Sequence, residues 1–218
     1  MAPTKETAFI FDVDGTIVDT EEKRALSLRK TINFFGKESD EEIYKECIGH
    51  RFEYVVDYFL KRAQLEIPFA DFKTKFDEYY NKEVKQIRKT REGFIPFLNE
   101  IKSRGFKTGL VTSGYRSMLF LLLQNLNLAE SFDTIITKED VQYEKPSPEP
   151  YLKAIERLRI TKAIVFEDTT PGFCSASEAG AVVFGMRHKY NEQQDFSLPV
   201  KVFETYNEVK IEELLKIL

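Results

Sequence analysis

Two carboxylates, Asp12 and Asp14, stand one residue apart between the apolar run 8–11 and Gly15. If that run is a buried strand, both acids lie beyond its carboxyl end, where ligands bind in open parallel sheets. Gly15 allows the chain to turn sharply there. Paired carboxylates of this kind can bind a hard cation through oxygen, or act as a nucleophile and a general acid/base. The plainer alternative is a turn with solvated acids.

A second acid pair, Glu167 and Asp168, follows the apolar run 163–166. Mg²⁺ takes carboxylates from separate elements, together with waters and substrate phosphate. Glu167 and Asp168, with Asp12 and Asp14, would supply such a set of oxygen ligands. Four acids beyond two strands therefore predict a cation site.

A hydroxyl cluster, Thr112 and Ser113 with Gly114, follows the apolar run 107–111 and precedes a predicted helix. Hydroxyls and free amides at a helix N-terminus suit a phosphate oxygen. Taken alone this feature is weak, because Ser and Thr also serve as ordinary N-caps.

A single lysine, Lys145, precedes three prolines in alternation, Pro146, Pro148 and Pro150. The prolines predict an extended, stiff loop that holds the lysine in place. Held against carboxylates and phosphate, its ammonium group would offset negative charge on a transferring group. An exposed lysine in a rigid linker explains the same pattern.

The elements that must position these residues alternate short β-like runs with helical stretches, which predicts an α/β fold with a parallel sheet and crossover helices. Short continuous apolar strands of this type are usually buried on both faces. The predicted strands are 8–11, 107–111, 134–136, 163–166, 181–184 and a weak one at 200–203. The predicted helices between and after them are 93–104, 115–126, 150–157, 172–179 and a last one from 206 to the C-terminus.

One segment, residues 19–89, breaks this alternation because it contains no convincing strand. Its amphipathic helices, rich in charge and aromatics, are predicted at 21–35, 40–47, 52–63 and 69–88. The segment is long enough to bury its own small core, so we expect a separate helical domain at 19–89 and an α/β domain at 1–18 and 90–218. The alternative is one α/β domain with a long helical excursion.

The bulk composition excludes several classes of protein. The chain has 218 residues, is 42% hydrophobic and 31% charged, and has a formal charge of −4. No nucleic-acid partner is expected, because such proteins usually carry a concentrated basic face. Two cysteines, Cys47 and Cys174, suit a reducing compartment. Residues 1–7 show no secretory signal and the longest apolar run, 118–123, is too short to span a bilayer, so a cytoplasmic location without a membrane partner is expected.

The four strand-end motifs, taken in this order, resemble those of the haloacid dehalogenase superfamily, and the resemblance covers essentially the whole chain. The helical insert after the first motif is similar to the subclass with an all-helical cap. Glu167, Asp168, Thr169 and Gly172, with the Lys145 loop, most resemble the branch of β-phosphoglucomutase and small-sugar-phosphate phosphatases. The resemblance implies a Rossmann-like parallel sheet with helices on both faces and an inserted helical cap domain.

Carried over to this chain, the resemblance implies that Asp12 is the nucleophile and becomes an aspartyl-phosphate. Asp14 would protonate the leaving oxygen and then activate the incoming water or alcohol. Thr112 and Ser113, with Gly114 in the same loop, would bind the phosphoryl oxygens. Phosphoryl transfer depends mainly on positioning and charge neutralisation, which agrees with these roles.

The same resemblance implies that Lys145 steadies the nucleophile and the phosphate. It implies Mg²⁺ as the cofactor. Asp168, Asp12 and the main-chain carbonyl of Asp14 would hold the ion, with Glu167 alongside.

The presence of Asp14 favours phosphate esters over the dehalogenase and phosphonate hydrolase branches, which lack or replace this second aspartate. A phosphatase acting on small phosphorylated metabolites, sugar phosphates in particular, is expected over a β-phosphoglucomutase-like mutase. The mutase resemblance calls for a histidine in the first cap helix, where this chain has Arg24. It also calls for a phosphate-gripping arginine, and Arg51 is offset from that position by one residue.

Three further residues are candidates for substrate contacts. His50 and Arg51 follow Gly49 at a predicted junction between cap helices, where cap closure would bring them to the substrate; a surface turn is an equal alternative. Arg116, just inside the helix after the hydroxyl cluster, is better placed, with an exposed helix arginine as its alternative.

A non-enzymatic binding protein on the same fold is a third class of function. Intact Asp12, Asp14 and Lys145 argue against it. The expected partner is therefore a small-molecule phosphate ester, and a monomer is expected because core and cap together can form a complete site.

Overall fold

The computed structural model describes residues 6–218. This part of the chain divides into two compact units. One is Thr20–Ile87, and the other combines residues 6–19 with Arg88–Leu218. The domain boundaries drawn from the sequence stay a prediction. The expectation of no secretory signal rests mostly on residues outside the described part of the chain.

The regular elements alternate as expected outside the helical unit. The strands are β1 (Thr7–Phe11), β2 (Lys107–Val111), β3 (Thr134–Ile136), β4 (Lys162–Glu167), β5 (Val182–Met186) and β6 (Lys201–Phe203). The α-helices are α1 (Glu21–Phe34), α2 (Phe52–Ala63), α3 (Phe69–Val84), α4 (Phe94–Ser103), α5 (Arg116–Asn125), α6 (Glu149–Leu158), α7 (Thr170–Glu178) and α8 (Ile211–Leu215). Short 3₁₀ helices cover Glu41–Cys47, Lys138–Asp140 and Tyr206–Glu208.

The core sheet has six strands in the order β3-β2-β1-β4-β5-β6, and every neighbouring pair is parallel. The strand order reverses between β1 and β4. Ligands of open α/β sheets bind beyond the carboxyl ends of the strands at such a switch point. The predicted α/β class is confirmed, and the residues that follow β1 and β4 lie where chemistry is expected.

Alternate residues of β1 are buried on opposite faces of the sheet, which explains its uninterrupted apolar sequence. On one face, Phe9 and Phe11 make edge contacts with Phe97 of α4, with ring centroids 6.0 and 6.3 Å apart. On the other face, Ile10 belongs to an aliphatic cluster with residues of α6 and with Phe173 of α7. Helices therefore cover both faces, as predicted.

The helical unit is held by its own buried residues. Its α1 and α3 are additionally tied by Lys30, whose Nζ lies 2.7 Å from Oε1 of Glu83. The apolar side chains buried in this unit include Ala25, Leu28, Ile32, Val56, Phe59, Phe72 and Phe76. This unit is the inserted all-helical cap domain of the predicted fold class, which is confirmed. Across residues 6–218, none of the helices combines the length and the apolarity that crossing a bilayer requires.

Three predicted helices differ from the observed ones in type or by more than two residues at one end. The predicted C-terminal helix is a 3₁₀ turn followed by α8, because Thr205 and Glu208 form a capping box around the turn and Val209 is extended (φ −90°, ψ 125°). Residues 40–47 were predicted as an α-helix, and the structure has a 3₁₀ helix there that begins at Glu41. Helix α3 ends at Val84 rather than at 88, because the amide of Ile87 bonds three residues back.

Candidate active site

Asp12 and Asp14 follow β1 in a tight loop. The amide of Asp12 still donates to the carbonyl oxygen of Phe166 on β4 (3.0 Å), so its side chain leaves from the sheet itself. The chain then turns back, and Gly15, at φ +75°, donates to the carbonyl oxygen of Val18 (2.8 Å). Asp12 is buried and Asp14 half-buried. The sheet thus fixes the first carboxylate, and the turn fixes the second.

Lys145 brings a buried positive charge to this point. Its Nζ lies 2.6 Å from Oδ1 of Asp12, contacts Oε1 of Glu167 and donates to the carbonyl oxygen of Val111 (3.2 Å). Its side chain is only 6% exposed. Burial by itself lowers the pKa of the ammonium group, but the charges of Asp12 and Glu167 hold that pKa well above its ordinary value. Lys145 is therefore a fixed cation beside Asp12.

The loop that carries Lys145 is compact, whereas its prolines predicted an extended segment. The chain turns at Lys145, and the carboxylate of Glu149 accepts the amides of Gln142 (2.9 Å) and Tyr143 (2.8 Å). A hydrogen bond from Lys153, followed by those two amides, lowers the pKa of Glu149 to about 2. The loop is therefore closed by Glu149, at the start of α6, which binds the main-chain amides of Gln142 and Tyr143 at the start of the loop.

Glu167 is bound on both carboxylate oxygens. Besides Nζ of the lysine, Oε1 accepts the hydroxyl of buried Tyr151 (3.0 Å). Oε2 accepts the amides of Asp168 (2.8 Å) and Thr169 (3.1 Å). A Cβ added to Gly172 would lie 2.0 Å from this carboxyl carbon, so glycine is required where α7 meets Glu167. The acid therefore anchors the lysine to the start of α7.

Three buried carboxylates form a cluster that fits a divalent cation. Each of Asp12, Glu167 and Asp168 offers one oxygen, and these oxygens all lie within 4.8 Å of one another. The carboxylate of Asp14, the fourth acid that the sequence pattern put at the cation site, is outside this group, whereas the family resemblance implies its main-chain carbonyl as the ligand. Burial and, less strongly, the neighbouring acids raise the pKa of Asp12 well above its ordinary value, although Lys145 opposes the shift. Three acids against one ammonium leave two excess negative charges, which a divalent cation would neutralise.

His188 reaches the same cluster, although the sequence analysis assigned it no role. Its Nε2 lies 3.0 Å from Oδ2 of Asp168. A Cβ added to Gly15 would lie 2.3 Å from that oxygen and 2.7 Å from Nε2, so only glycine fits between the two loops. The available signal was positional: a histidine just beyond β5 is at the same edge of a parallel sheet as the acids.

The hydroxyl cluster lies beyond β2, the strand next to β1. The amide of buried Thr112 pairs with the carbonyl oxygen of Ile136, and its Oγ1 accepts the amide of Gly114 (3.0 Å). A Cβ on Gly114 would lie 3.9 Å from Oδ2 of Asp14, so this loop and the acid loop approach each other closely. Ser113, in the same loop, is exposed.

Arg116 is engaged away from the acid cluster. Its guanidinium group lies 2.7 Å from Oδ2 of Asp140, and its amide donates to both carboxylate oxygens of Glu139 (3.0 and 3.1 Å). The expectation that α5 offers free amides at its N-terminus therefore fails at this residue. The observed contacts pair Arg116 with the turn that follows β3, and its substrate contact stays a prediction.

His50 and Arg51 lie in the helical unit. The ring of His50 is exposed and stacks on Tyr54, with centroids 4.3 Å apart, and Arg51 is exposed where α2 begins. Arg24, at the position of the mutase histidine, donates to the hydroxyl of Tyr44 (3.3 Å). His50, Arg51 and Arg24 all belong to the helical unit Thr20–Ile87.

A parallel α/β core with an inserted helical unit, and acids beyond its two central strands, defines a known class of hydrolases. The chain belongs to the haloacid dehalogenase-like hydrolases, whose family model matches residues 9–186. The predicted resemblance to this superfamily is confirmed.

Three comparisons illustrate the relationship. The phosphorylated carbohydrates phosphatase of Thermotoga maritima is 28% identical over 188 residues, which cover 85% of this chain and 87% of that protein. The phosphoglycolate phosphatase of Aquifex aeolicus is 31% identical over 178 residues, covering 78% of this chain and 80% of that one. The crystal structure of a HAD hydrolase of family IA, variant 3, from Entamoeba histolytica matches with a TM-score of 0.83 at 26% identity, covering 97% of this chain and 98% of that one. The hydrolase family and the phosphatase relatives support the expectation of a phosphatase.

Proposed function

We propose that this protein is a Mg²⁺-dependent phosphatase that hydrolyses small phosphorylated metabolites, sugar phosphates in particular, through an aspartyl-phosphate on Asp12. The observation that carries the proposal is the buried contact between Lys145 and Asp12 at the switch point of the sheet. A carboxylate held there by a fixed cation is oriented for attack rather than solvated, which is what nucleophilic catalysis needs. The carbohydrate phosphatase relative supports the substrate class.

In the first half of the reaction, a carboxylate oxygen of Asp12 forms a bond to phosphorus while the bond from phosphorus to the ester oxygen breaks. Asp14 gives its proton to that leaving oxygen, so the alcohol departs neutral. Lys145 holds the attacking carboxylate and offsets charge on the phosphoryl oxygens. The phosphoryl group is then covalently bound to Asp12.

In the second half, Asp14 accepts a proton from water as the water oxygen bonds to phosphorus. The bond between phosphorus and Asp12 breaks, and inorganic phosphate and the free carboxylate result. Thr112 and Ser113, in the loop that ends at Gly114, would bind the phosphoryl oxygens in both halves. The close approach of that loop to Asp14 supports this assignment.

Asp12, Asp168 and the main-chain carbonyl of Asp14 would hold Mg²⁺. Bound there, the ion supplies positive charge to the phosphoryl oxygens as their charge develops. Glu167 stays alongside, because both of its oxygens already accept hydrogen bonds from Lys145, Tyr151 and main-chain amides. Its part is to keep the lysine in place.

Substrate recognition is assigned to the cap. We propose that His50 and Arg51 contact the substrate when the cap closes, because both are exposed and lie where α2 begins. Arg116 stays a candidate for a further substrate contact, because its guanidinium group, although paired with Asp140, is partly exposed.

A phosphatase is favoured over a sugar-phosphate mutase. Arg24 takes the place of the mutase histidine, and it is paired with Glu21 and Tyr44 inside the helical unit. A guanidinium group held in this way does not replace a histidine that exchanges protons. The relatives named as phosphatases point the same way.

The test is phosphate release from sugar phosphates, nucleotides and an aryl phosphate, with Mg²⁺ and with EDTA. We expect release that needs Mg²⁺ and is lost in Asp12→Asn and in Asp14→Asn. Borohydride added during turnover should convert Asp12 to homoserine, which mass spectrometry detects at that residue. Isomerised sugar phosphate without phosphate release would establish the mutase instead. No reaction with any compound by the folded, Mg²⁺-bound protein would favour a binding protein.

We also propose that the enzyme acts as a cytoplasmic monomer. A monomer is proposed because the core and the cap of one chain can together form a complete site, and both cysteines, Cys47 and Cys174, are free thiols, which suits a reducing compartment. Light scattering of the purified protein and fractionation of cells check the two statements separately.

A further inference from the structure

The loop after β5 returns to Asp168 and buries a histidine against it. Nε2 of His188 lies 3.0 Å from Oδ2 of Asp168, and the two side chains are only 5% and 1% exposed. A histidine in this position has no part in the nucleophilic reaction described above. It bears on the chemistry through the carboxylate of Asp168 that it contacts.

The hydrogen bonds around the ring determine which nitrogen carries the proton. The amide of Tyr190 donates to Nδ1 of His188 (3.2 Å). An accepting Nδ1 has no hydrogen, so the proton of the neutral ring is on Nε2. His188 therefore donates from Nε2 to Asp168.

A second side chain of the same loop fixes the backbone on both sides of this contact. The buried amide group of Asn191 donates to the carbonyl oxygens of Asp168 and Met186, both at 2.8 Å. Its Oδ1 accepts the amide of His188 (2.8 Å). Asn191 thus joins the main chain of the acid to the main chain of the histidine, so neither can shift alone.

The other oxygen of the carboxylate is also held by a neutral donor. The hydroxyl of Thr16, in the loop after β1, lies 3.3 Å from Oδ1 of Asp168. A carboxylate oxygen has two lone pairs, so an oxygen that accepts one hydrogen bond can still bind a cation. Donors on both oxygens restrict rotation of the carboxylate and leave its charge intact.

We propose that His188 is a positioning residue for the cation, because it orients the carboxylate of Asp168 that would bind Mg²⁺. The inference rests on the cation of the proposed function and adds a residue that acts on it indirectly. Groups that hydrogen-bond to metal ligands typically change metal affinity by about 10- to 100-fold when they are removed.

The first test measures Mg²⁺ binding to the substrate-free protein by calorimetry. We expect His188→Leu, which removes the donor, to weaken binding by about 10- to 100-fold. His188→Gln, whose amide nitrogen can reach the position of Nε2, should recover most of the affinity. A role in packing alone would lower the melting temperature of His188→Leu and leave the affinity within about twofold of wild type, and that result would overturn the proposal.

The second test needs no variant, so it holds even where His188→Leu fails to fold. The chain has two histidines, and ¹⁵N-edited NMR of the rings can follow both. We expect His188 in the Nε2-protonated form, with ring shifts that move as Mg²⁺ is added, while exposed His50 serves as the internal control. A ring protonated on Nδ1, or shifts unchanged at saturating Mg²⁺, contradicts the proposal.

These results separate the two proposals. A wild-type chain that does not bind Mg²⁺ contradicts the cation of the proposed function, and the role of His188 with it. If the wild type binds Mg²⁺ and folded His188→Leu binds it equally tightly, only the proposed role of His188 is contradicted.

Discussion

Nζ of Lys145 lies 2.6 Å from Oδ1 of Asp12 and contacts Glu167 at the same time. The lysine thus joins the proposed nucleophile to a carboxylate that is itself bound by Tyr151 and by the first amides of α7. The position of the nucleophile is therefore set by residues from β1, the loop before α6, and the end of β4.

Replacing Lys145 with methionine should lower kcat by about 100-fold or more, because a fixed charge aimed at the phosphoryl group is lost. It should also move the acid side of the pH–rate profile to higher pH. Burial raises the pKa of Asp12, and Lys145 is the group that lowers it. Without that charge the carboxylate binds its proton up to a higher pH, so less of it is ionised at a given acid pH.

The profile of kcat/KM against pH at saturating Mg²⁺ measures this shift. Lys145→Arg keeps the charge and should leave the acid side near its original position. Lys82→Met, which removes an exposed lysine paired with Glu78, is the control for loss of a surface charge. An unshifted profile in folded Lys145→Met would show that Asp12 does not sense this lysine.

Replacing Gly172 with alanine tests whether the position of Glu167 matters. Replacing a glycine in the first turn of a helix with alanine ordinarily stabilises the helix. Here the new Cβ would lie 2.0 Å from the buried carboxyl carbon of Glu167. We expect the free energy of unfolding to fall by about 3 kcal/mol, and kcat to fall as well because Lys145 loses its anchor.

Gly180→Ala is the matched control. Its φ is +80° and a Cβ there has no neighbour within 4 Å, so the variant should lose about 1–2 kcal/mol from backbone strain alone. We expect its kcat to stay at the wild-type value. Urea denaturation measures the stability of Gly172→Ala and Gly180→Ala, and steady-state kinetics measures their kcat. Equal losses of kcat in the two variants would mean that Gly172 affects activity only through general stability.

The polar clusters could be predicted from the sequence because of one property of parallel sheets. Asp12, Glu167 and Asp168 each end or follow a strand, and the carboxyl ends of parallel strands share an edge. The structure brings oxygens of these three acids within 4.8 Å of one another. Strand bounds could be predicted to within about two residues: β2 and β3 have the predicted limits, β4 is one residue longer at each end, and β5 begins one residue later and ends two residues later than predicted.

Contacts that depend on the path of a loop could not be predicted in this way. His188 follows β5 at this edge of the sheet, but its contact with Asp168 depends on the turn that Asn191 closes. Tyr151 reaches Glu167 from the first turn of α6, and no local spacing in the sequence indicates that contact. The partner of Arg116 also depends on the path of a loop. Its place at the start of α5 suggested a substrate contact, which stays a prediction, and the turn at Lys138–Asp140 presents Asp140 to its guanidinium group.

Asp140 should make stability depend on pH. Burial by itself raises the pKa of this carboxyl, but hydrogen bonds from Thr137, Arg157 and Arg116 outweigh burial and hold the pKa well below its ordinary value. A depressed pKa in the folded state stabilises the fold above the unfolded pKa, about 3.9. That stabilisation is lost as the pH falls towards the folded value.

We expect Asp140→Asn to lower the free energy of unfolding by about 2 kcal/mol at pH 7. The difference in free energy of unfolding between the variant and the wild type should shrink below about pH 4, where Asp140 of the wild type starts to be protonated on unfolding. Urea denaturation of both proteins between pH 3 and 7, with exposed Asp57→Asn as the control for an isolated surface pair, measures it. A difference that does not change with pH would contradict the charged role of Asp140.

Arg91 connects three loops at the carboxyl end of the sheet. Its guanidinium group donates to the carbonyl oxygens of Gly15 (2.9 Å), Arg187 (2.7 Å) and Glu204 (2.7 Å), which follow β1, β5 and β6. A lysine in its place has one ammonium group and cannot bond to all three with the geometry of a planar fork. Arg91→Lys should therefore release at least one of these loops.

We expect Arg91→Lys to lower the free energy of unfolding by about 2 kcal/mol, since hydrogen bonds to a charged group are lost. It should also weaken Mg²⁺ binding, because the carbonyl of Gly15 directly follows Asp14, whose own carbonyl is proposed to bind the ion. Arg104→Lys is the control: Arg104 contacts two carboxylates, Glu100 and Glu212, on the surface, and such pairs contribute about 1 kcal/mol or less. Urea denaturation and Mg²⁺ calorimetry on the two variants test the assignment. If Arg91→Lys changes neither quantity more than Arg104→Lys does, the three loops hold their positions without Arg91.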